Sequence, residues 1–356
     1  MTSSRPSVLV RGSINIDEFY SVQDIVRPGQ TIASRSLKKL LGGKGANQAK
    51  AVACAGADVL LDGAVGGDDE GKSVKGKLCD YIEGSEGKII GDRIVLAEGV
   101  STGKAVIQLA DDGENCIIIL GGANTHPRPD PTPLIPDNIT HLLLANEIPL
   151  DSTLSYLKAA HSRSATTIFN PSPMLSAEAL RAFPFDQLEW LIVNQGEMST
   201  IYDSLVGKTD SISDSEDSPE KVIENALALY KKLDCKTSIL CTLGGQGVIY
   251  VRSISTTSSG TDTENVESGH LPAAKLLNPI KDTTGAGDCF MGTFAAGMAR
   301  LAKNNSERKA EVSKEDFTDV LKTCLVACSM CVEKEGAQDS YHPISAVEER
   351  KKQTFA

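Results

Sequence analysis

Short apolar runs alternate with longer amphipathic stretches through most of this chain. Strand-like runs fall at Val8–Val10, Val59–Ala64, His141–Ala145, Thr166–Phe169, Trp190–Val193, Ser238–Thr242 and Val248–Val251. Helical periodicity covers Ala46–Ala55, Gly71–Ile82, Ser152–Ala160, Pro219–Leu233, Ala286–Leu301 and Phe317–Glu333. A strand without an alternating polar face is buried on both sides, which requires helices above and below it. The pattern therefore predicts an α/β fold, a three-layer α/β/α sandwich around a mostly parallel sheet.

Two regions break this rhythm. Residues 14–41 show no helical period, and residues 92–121 read as strand, turn and strand. Asp111-Asp112-Gly113-Glu114 supplies the turn between Ala105–Leu109 and Cys116–Leu120. These pieces are expected to pair into a small β-sheet lid over the active face, where a cover excludes water from a bound substrate. The division is an α/β core from 1–13, 42–91 and 122–356, and a lid from 14–41 and 92–121. Residues 203–219, rich in Ser and Asp, and 253–269, rich in Ser, Thr and Gly, read as polar surface inserts.

Composition narrows the function classes. The chain has 356 residues, 40% hydrophobic and 23% charged, which suits one large globular domain with a small appendage. Aromatic residues make up 4%, too few for base-stacking platforms, and a net charge of −11 disfavours nucleic acid or an acidic membrane surface as partner. Any phosphate-bearing ligand then needs a local binding device. No apolar run approaches the ~18 residues of a membrane span, and the polar start does not read as a signal peptide. Nine scattered cysteines read as reduced thiols and place the protein in the cytoplasm, with the nucleus left open.

The chemistry concentrates in Asp282-Thr283-Thr284-Gly285-Ala286-Gly287-Asp288, which feeds directly into a helical run. Free N–H groups and the positive end of the helix dipole meet at such a start and suit an anion. A carboxylate beside that hole makes sense if Asp288 removes a proton while the amides of Gly285, Ala286 and Gly287 hold developing negative charge. That pairing fits phosphoryl transfer to an alcohol. Taken alone, the stretch fits a capped tight turn equally well. A second glycine turn, Gly42-Gly43-Lys44-Gly45-Ala46-Asn47, also opens a helix, and Lys44 and Asn47 supply donors. Upstream, Asn15 and Asp17 share one face of an extended stretch by the two-residue period. Together these suit hydroxyl recognition, or else an ordinary Asx turn and a solvated lysine.

Gly12-Ser13-Ile14-Asn15-Ile16-Asp17, Gly42-Gly43-Lys44-Gly45-Ala46-Asn47 and Asp282…Gly285-Ala286-Gly287-Asp288 together resemble the ribokinase-like superfamily of carbohydrate and nucleoside kinases. The full glycine–lysine–asparagine run with Asn15 and Asp17 favours the ribokinase family within it. The resemblance runs from about Val8 to Pro343. It implies that Asn15, Asp17, Gly43, Lys44, Asn47 and Glu147 hold a sugar, with Asp288 as the base. It implies nucleotide contacts from Asn194, Thr242, Gly244, Gly245, Gln246, Gly247, Gly285, Ala286 and Gly287. Glu197, in Asn194-Gln195-Gly196-Glu197, matches a motif that organises Mg²⁺, often through water. Asp282, Thr284, Cys331, Lys334, Gly336 and Ser340 match a monovalent-cation site for K⁺. Cys324 stands where family members often carry Asn or His near the adenine.

The implied activity is ATP-dependent phosphorylation of D-ribose to D-ribose 5-phosphate, with ATP, Mg²⁺ and K⁺ as cofactors. Another sugar or nucleoside kinase of the superfamily, or a non-catalytic sugar sensor on the same fold, is the alternative. The family's habit of pairing lids implies a possible homodimer. Two competing motifs are set aside. Gly66-Gly67-Asp68-Asp69-Glu70-Gly71-Lys72-Ser73 satisfies a P-loop pattern, but its three acids would face the phosphates, so they read as dipole partners of the next helix. Cys324, Cys328 and Cys331 match an iron–sulfur spacing, yet the same offsets define one face of a buried helix.

Overall fold

The computed structural model describes residues 7–80, 82–126, 133–207, 218–254, 265–304 and 312–355. The first half runs β1 (Ser7–Arg11), β2 (Asn15–Ser21), β3 (Ser36–Gly42), α1 (Lys44–Cys54), β4 (Asp58–Gly66), α2 (Asp69–Cys79), β5 (Ile89–Ile90), β6 (Ile94–Ala97), β7 (Gly103–Leu109) and β8 (Asn115–Leu120). Next come β9 (Ile139–Ala145), α3 (Leu150–Ser162), β10 (Thr166–Asn170), α4 (Ala177–Ala182), β11 (Trp190–Asn194), α5 (Gln195–Leu205) and α6 (Pro219–Lys232). The chain closes with β12 (Ser238–Thr242), β13 (Val248–Ile254), β14 (Asn265–Leu271), α7 (Ala286–Asn304), α8 (Lys314–Val332) and α9 (Ile344–Thr354).

Ten strands form the main sheet, in the order β14-β13-β12-β11-β10-β9-β1-β4-β5, with β6 also paired to β4. Pairing is parallel from β12 through to β4, and only β13 and β14 run antiparallel. The continuous apolar strands are explained by their two destinations. Val8 and Val10 of β1, Trp190 and Ile192 of β11 and Leu240 of β12 pack with α1, α7 and α8. Their neighbours Leu9, Leu191, Val193, Ile239 and Cys241 pack with α3, α5 and α6. Side chains that alternate across the sheet thus enter two separate cores, and a polar residue has no place at either parity. The three-layer architecture expected from the sequence is the one observed.

A second sheet has four strands in the order β3-β2-β7-β8. Its hairpin β7–β8 closes through Ala110 N–H to Glu114 O and Gly113 N–H to Ala110 O, at the turn named above. Ile94–Ala97, expected in this small sheet, instead pairs parallel with β4 in the main one. Residues 208–217 and 255–264 of the two expected inserts lie outside the described residues. The flank of the second is not a loop, because β14 pairs with β13 along its whole length. β14 is an edge strand whose exposure alternates residue by residue, and that polar face disguised it in the sequence. At the false P-loop, Asp68 N-caps α2 by accepting from Gly71 N at 2.8 Å, and Asp69 and Glu70 occupy the first turn. Among the described residues no helix is long and apolar enough to cross a membrane.

Candidate active site

Helix α1 begins where β3 leaves the small sheet, and its start is a crowded corner. Gly43 adopts φ 84°, and a Cβ there would lie 2.8 Å from Asn15 N, so only glycine makes this turn. Glu147, just beyond β9, sits at the positive end of α1. Its Oε2 accepts from Lys44 N at 2.9 Å and from Ser13 Oγ at 2.5 Å. The helix dipole and these two donors explain a carboxylate at this depth. Asn15 and Asp17 point to the same face of β2, as the strand period requires. The Asp17 carboxylate lies over Gly42, where a Cβ would meet Oδ2 at 2.1 Å. Burial, then the charges of Glu147 and Asp288, push Asp17 up to about 6. Three carboxylates from three distant segments therefore lie close enough to act on one another's charge.

Asp288 lies in the first turn of α7 and is 6% exposed. Each of its oxygens is gripped by a side-chain amide of α1. Asn47 Nδ2 donates to Oδ2 and Gln48 Nε2 to Oδ1, both at 3.0 Å. Gln338 Nε2 in turn holds Asn47 Oδ1 at 3.0 Å. Burial raises the Asp288 pKa, opposed by Lys44 and the two amides and reinforced by Glu147. Gln48 and Gln338 escaped the sequence reading, because a glutamine in a helix or a short turn carries no local signature of its partner.

The turn before Asp288 depends on Gly285, at φ 78°, where a Cβ would strike Ala337 at 2.6 Å. Ala286 N–H already donates to Thr283 O at 3.3 Å. The N–H groups of Gly285 and Gly287 find no acceptor in the chain among the described residues. The anion hole expected from residues 285–287 thus has two free donors, and Ala286 is partly committed elsewhere. Asp282 braces this turn from below. Its carboxylate accepts from Thr284 N and from Gly336 N, both at 2.9 Å. Burial raises the Asp282 pKa, but these bonds and the charge of Lys38 reverse that and hold it below the usual range. Of the residues expected at a cation site, Asp282, Thr284 and Gly336 are joined in this way. Cys331 meets Ser340, Sγ to Oγ at 3.1 Å, and Cys331 O accepts from Lys334 N at 3.1 Å.

On the far side of the Gly287 turn opens a cleft of about 530 Å³. Thr242, Gly244, Gly245, Gly247, Ala286 and Gly287, all expected at a nucleotide, line it. So do Phe290, Leu325, Cys328, Ser329 and Val332, which give it apolar walls suited to a flat ring and were not foreseen. Cys324 is fully buried in the core and does not line the cleft; the helical face is turned by one residue, so Leu325 and Cys328 stand there instead. Of the three cysteines of the iron–sulfur spacing, Cys324 is buried in the core, whereas Cys328 and Cys331 both lie against Cys289, Cys328 also against Ala286 O and Cys331 against Ser340. Asn194, Gln246 and Gly285 do not line the cleft either. Asn194 caps α5 in a reciprocal box: its Oδ1 accepts from Glu197 N at 2.8 Å, and Glu197 Oε2 accepts from Asn194 N at 3.0 Å. Asn170 Nδ2 also holds Glu197 Oε2, at 3.1 Å. Gln246 O is bonded by His270 Nε2.

The arrangement sets an acidic polar corner and an apolar cleft about two free amides and a fixed carboxylate. Known proteins resemble the chain over nearly its whole length. The family described as pfkB family carbohydrate kinase matches residues 5–344. The ribokinase of Bacillus subtilis is 30% identical over 353 residues, covering 96% of this chain and 98% of that protein. The ribokinase structure from Cryptococcus neoformans in complex with ADP is 43% identical, with a TM-score of 0.79 over 97% of this chain and 99% of that one. The Arabidopsis thaliana ribokinase complexed with ribose and ATP is 26% identical, with a TM-score of 0.72 over 98% and 99%. The chain belongs to the pfkB family of carbohydrate kinases, within its ribokinase group.

Proposed function

We propose that this kinase transfers the γ-phosphoryl group of ATP to the primary hydroxyl of D-ribose, giving D-ribose 5-phosphate and ADP. The observation that carries the reading is the buried Asp288 carboxylate, clamped by Asn47 and Gln48 between a pocket of hydrogen-bonding groups and a cleft fit for adenine. The ribose and ATP of the Arabidopsis relative support the choice of both substrates. Asn15, Asp17, Gly43, Lys44, Asn47 and Glu147 hold the sugar hydroxyls. Glu147 contributes Oε1, since Oε2 is bound to Ser13 and Lys44. Asp288 accepts the hydroxyl proton as the new O–P bond forms and the bond to ADP breaks. A raised pKa makes it a stronger base than an exposed aspartate. The Gly285 and Gly287 amides, at the α7 N-terminus, hold charge on the transferred group.

The donor sets fit the two ions the family implies. Glu197 has Oε1 outside its capping box, so it suits a metal-bound water of Mg²⁺, which neutralises phosphate charge when bound. Asp282 and the carbonyls of Thr284, Cys331, Lys334 and Gly336, with Ser340, suit K⁺, which stiffens the turn carrying the free amides. Ribose with Mg²⁺ and K⁺ should outpace fructose, 2-deoxyribose and adenosine in a coupled ADP assay, and omitting K⁺ should slow it. Adenosine as the better acceptor would make the protein a nucleoside kinase. Ribose binding without ADP formation would make it a sensor.

Replacing Asp288 by Asn keeps the shape and removes the base. Turnover should fall about 10²–10⁴-fold with the sugar KM little changed; wild-type turnover in this variant refutes the role. Asp17 makes a pH test. Its pKa is raised to about 6, so the ionised acceptor is lost as pH falls through that value. The ribose KM should rise about threefold or more between pH 7.5 and 5.5, while the ATP KM stays level. Because the folded pKa lies above the ordinary value, the charge costs stability above pH 6, and this cost fades as pH falls toward 4. Asp17→Asn should therefore stabilise the free protein at pH 7 by about 1–3 kcal/mol and weaken ribose binding, with the stability gain vanishing near pH 4. Calorimetry showing an unchanged ribose affinity rejects the assignment.

The outer strand of the small sheet supports a homodimer. In β8, Ile117, Ile118, Ile119 and Leu120 are 51%, 60%, 63% and 51% exposed, and the strand's outer edge is unpaired among the described residues. We place a second copy there. Sedimentation at micromolar concentration should give a dimer that Ile118→Lys dissociates; a monomeric wild type ends this part of the proposal.

A further inference from the structure

Asn124 lies in a short helical turn, Gly122–Thr125, directly after β8 returns the chain from the small sheet to the core. It is 5% exposed, as is Asn15. Its Oδ1 accepts from Ile14 N at 2.8 Å. Its Nδ2 donates to Ile14 O at 3.2 Å and to Asn15 Oδ1 at 2.7 Å. Backbone groups fix every orientation in this set. Ile14 N–H can only donate, so Asn124 Oδ1 must face it. Ile14 C=O can only accept, so Asn124 Nδ2 must face the other way. Asn15 is then obliged to turn its oxygen toward Asn124. Its NH₂ group is left over, without a hydrogen bond in the chain among the described residues. Gly103 makes the contact possible, since a Cβ there would lie 2.2 Å from Asn124 Nδ2 and 2.3 Å from Asn15 Oδ1.

We infer that Asn124 is a positioning residue that sets the polarity of Asn15, so that the sugar pocket meets its ligand with an N–H donor at Asn15 and an acceptor at Asp17. The inference rests on the proposal that Asn15 binds the sugar. Without Asn124, an asparagine amide is two-faced and rotates to suit either a donor or an acceptor. With it, the pocket rewards a hydroxyl, which accepts from one side chain and donates to the next. A ligand lacking an oxygen there leaves a buried N–H unpaired, and that loss is what discriminates.

Three variants test this with ribose and ATP as separate varied substrates. In Asn124→Asp, the second carboxylate oxygen faces Asn15 Oδ1, so Asn15 flips and presents oxygen to the sugar. The ribose KM should rise about tenfold with the ATP KM unchanged. Protonating the new acid restores a donor toward Asn15. The ratio of variant to wild-type ribose KM should therefore shrink from pH 8 to pH 5.5, the wild type cancelling the titration of Asp17, Glu147 and Asp288. A merely structural role raises both KM values and gives no such pH trend. If Asn124→Asp does not fold, Asn15→Asp decides: Asn124 can still donate to it, but the NH₂ is gone, and the ribose KM should again rise about tenfold. A ribose KM within twofold of wild type in the deciding variant, or a ratio flat with pH, overturns the inference. Asn15→Ala separates the two levels. If it leaves the ribose KM unmoved, the sugar-site reading fails; if it raises the KM while Asn15→Asp does not, only the role of Asn124 fails.

Discussion

An ionisable carboxylate held under protein cover is the constraint on which this architecture turns. Burial alone would drive the Asp288 proton on or push the side chain out to water. Two amides from one helix, one on each oxygen, keep it ionisable and fix its direction. That demands an unusually close approach of α1 to α7, because Asn47 and Gln48 are short arms on a neighbouring backbone. Small residues provide it. Gly292 faces α1 so tightly that a Cβ would lie 2.5 Å from Gln48 O and from Ala51 Cβ. Ala46, Ala49 and Ala53 on α1 and Ala295, Ala296 and Ala299 on α7 are all buried in the same core. The alanine- and glycine-rich composition of both helices thus sets a distance of chemical consequence.

The charges follow a division of labour. Asp17, Glu147 and Asp288 concentrate carboxylates in one place, which suits the neutral, hydroxyl-bearing ligand proposed for it. Such a pocket repels phosphates, and in a chain of net charge −11 no general field attracts them. The countermeasure is local. Under the proposed mechanism, backbone donors at the α7 N-terminus would serve the anion without adding a side chain that neutralises the carboxylate beside it. Asp282 holds that turn through Thr284 N and Gly336 N, and Tyr341 OH donates to Gly285 O at 2.9 Å. The carboxylate and the free amides coexist because one is a side chain and the others are main chain.

Much of this was legible in the sequence, and the parts that were not share a cause. Parallel strands were visible because burial on both faces removes every polar residue from Leu142–Ala145 or Leu191–Val193. The glycine turns at 42–45 and 285–287 were visible because they open helices beside chemically useful side chains. What remained hidden depends on pairing across the chain. Asn124, Gln48 and Gln338 are unremarkable in their own neighbourhoods, and their partners lie 109, 240 and 291 residues away. Strand β14 was hidden by its edge position, and the cleft-facing side of the helix at Cys324 was hidden because that helix is buried nearly all round, with Leu325 and Cys328 lining the cleft. A periodic pattern reports which residues are buried, not which of two buried neighbours faces a cleft. The Asn194–Glu197 spacing has a different ambiguity, since the box that caps α5 uses the same atoms a ligand would claim.

How the small sheet is attached bears on how the site is completed. Its connections to the core include the turn at Gly12–Ile14 and the return at Gly121–Asn124, and Asn124 ties the two together through the backbone of Ile14. Farther out, Glu18 on β2 and Glu70 on α2 each bind both Lys39 and Lys104. Lys39 is 45% exposed and Glu70 36%, so their pair contributes little and is screened by salt, whereas Lys104 and Glu18, 22% and 9% exposed, form a more sheltered pair. The attachment at Ile14 and Asn124 uses neutral hydrogen bonds away from solvent, and the small sheet meets the core through Ile16 and Leu41 in the apolar cluster as well as through the ion pairs of Glu70. If Asn15 binds the sugar as proposed, its polarity is set on the buried side of this attachment, by the bonds of Asn124 to Ile14 and to Asn15 itself.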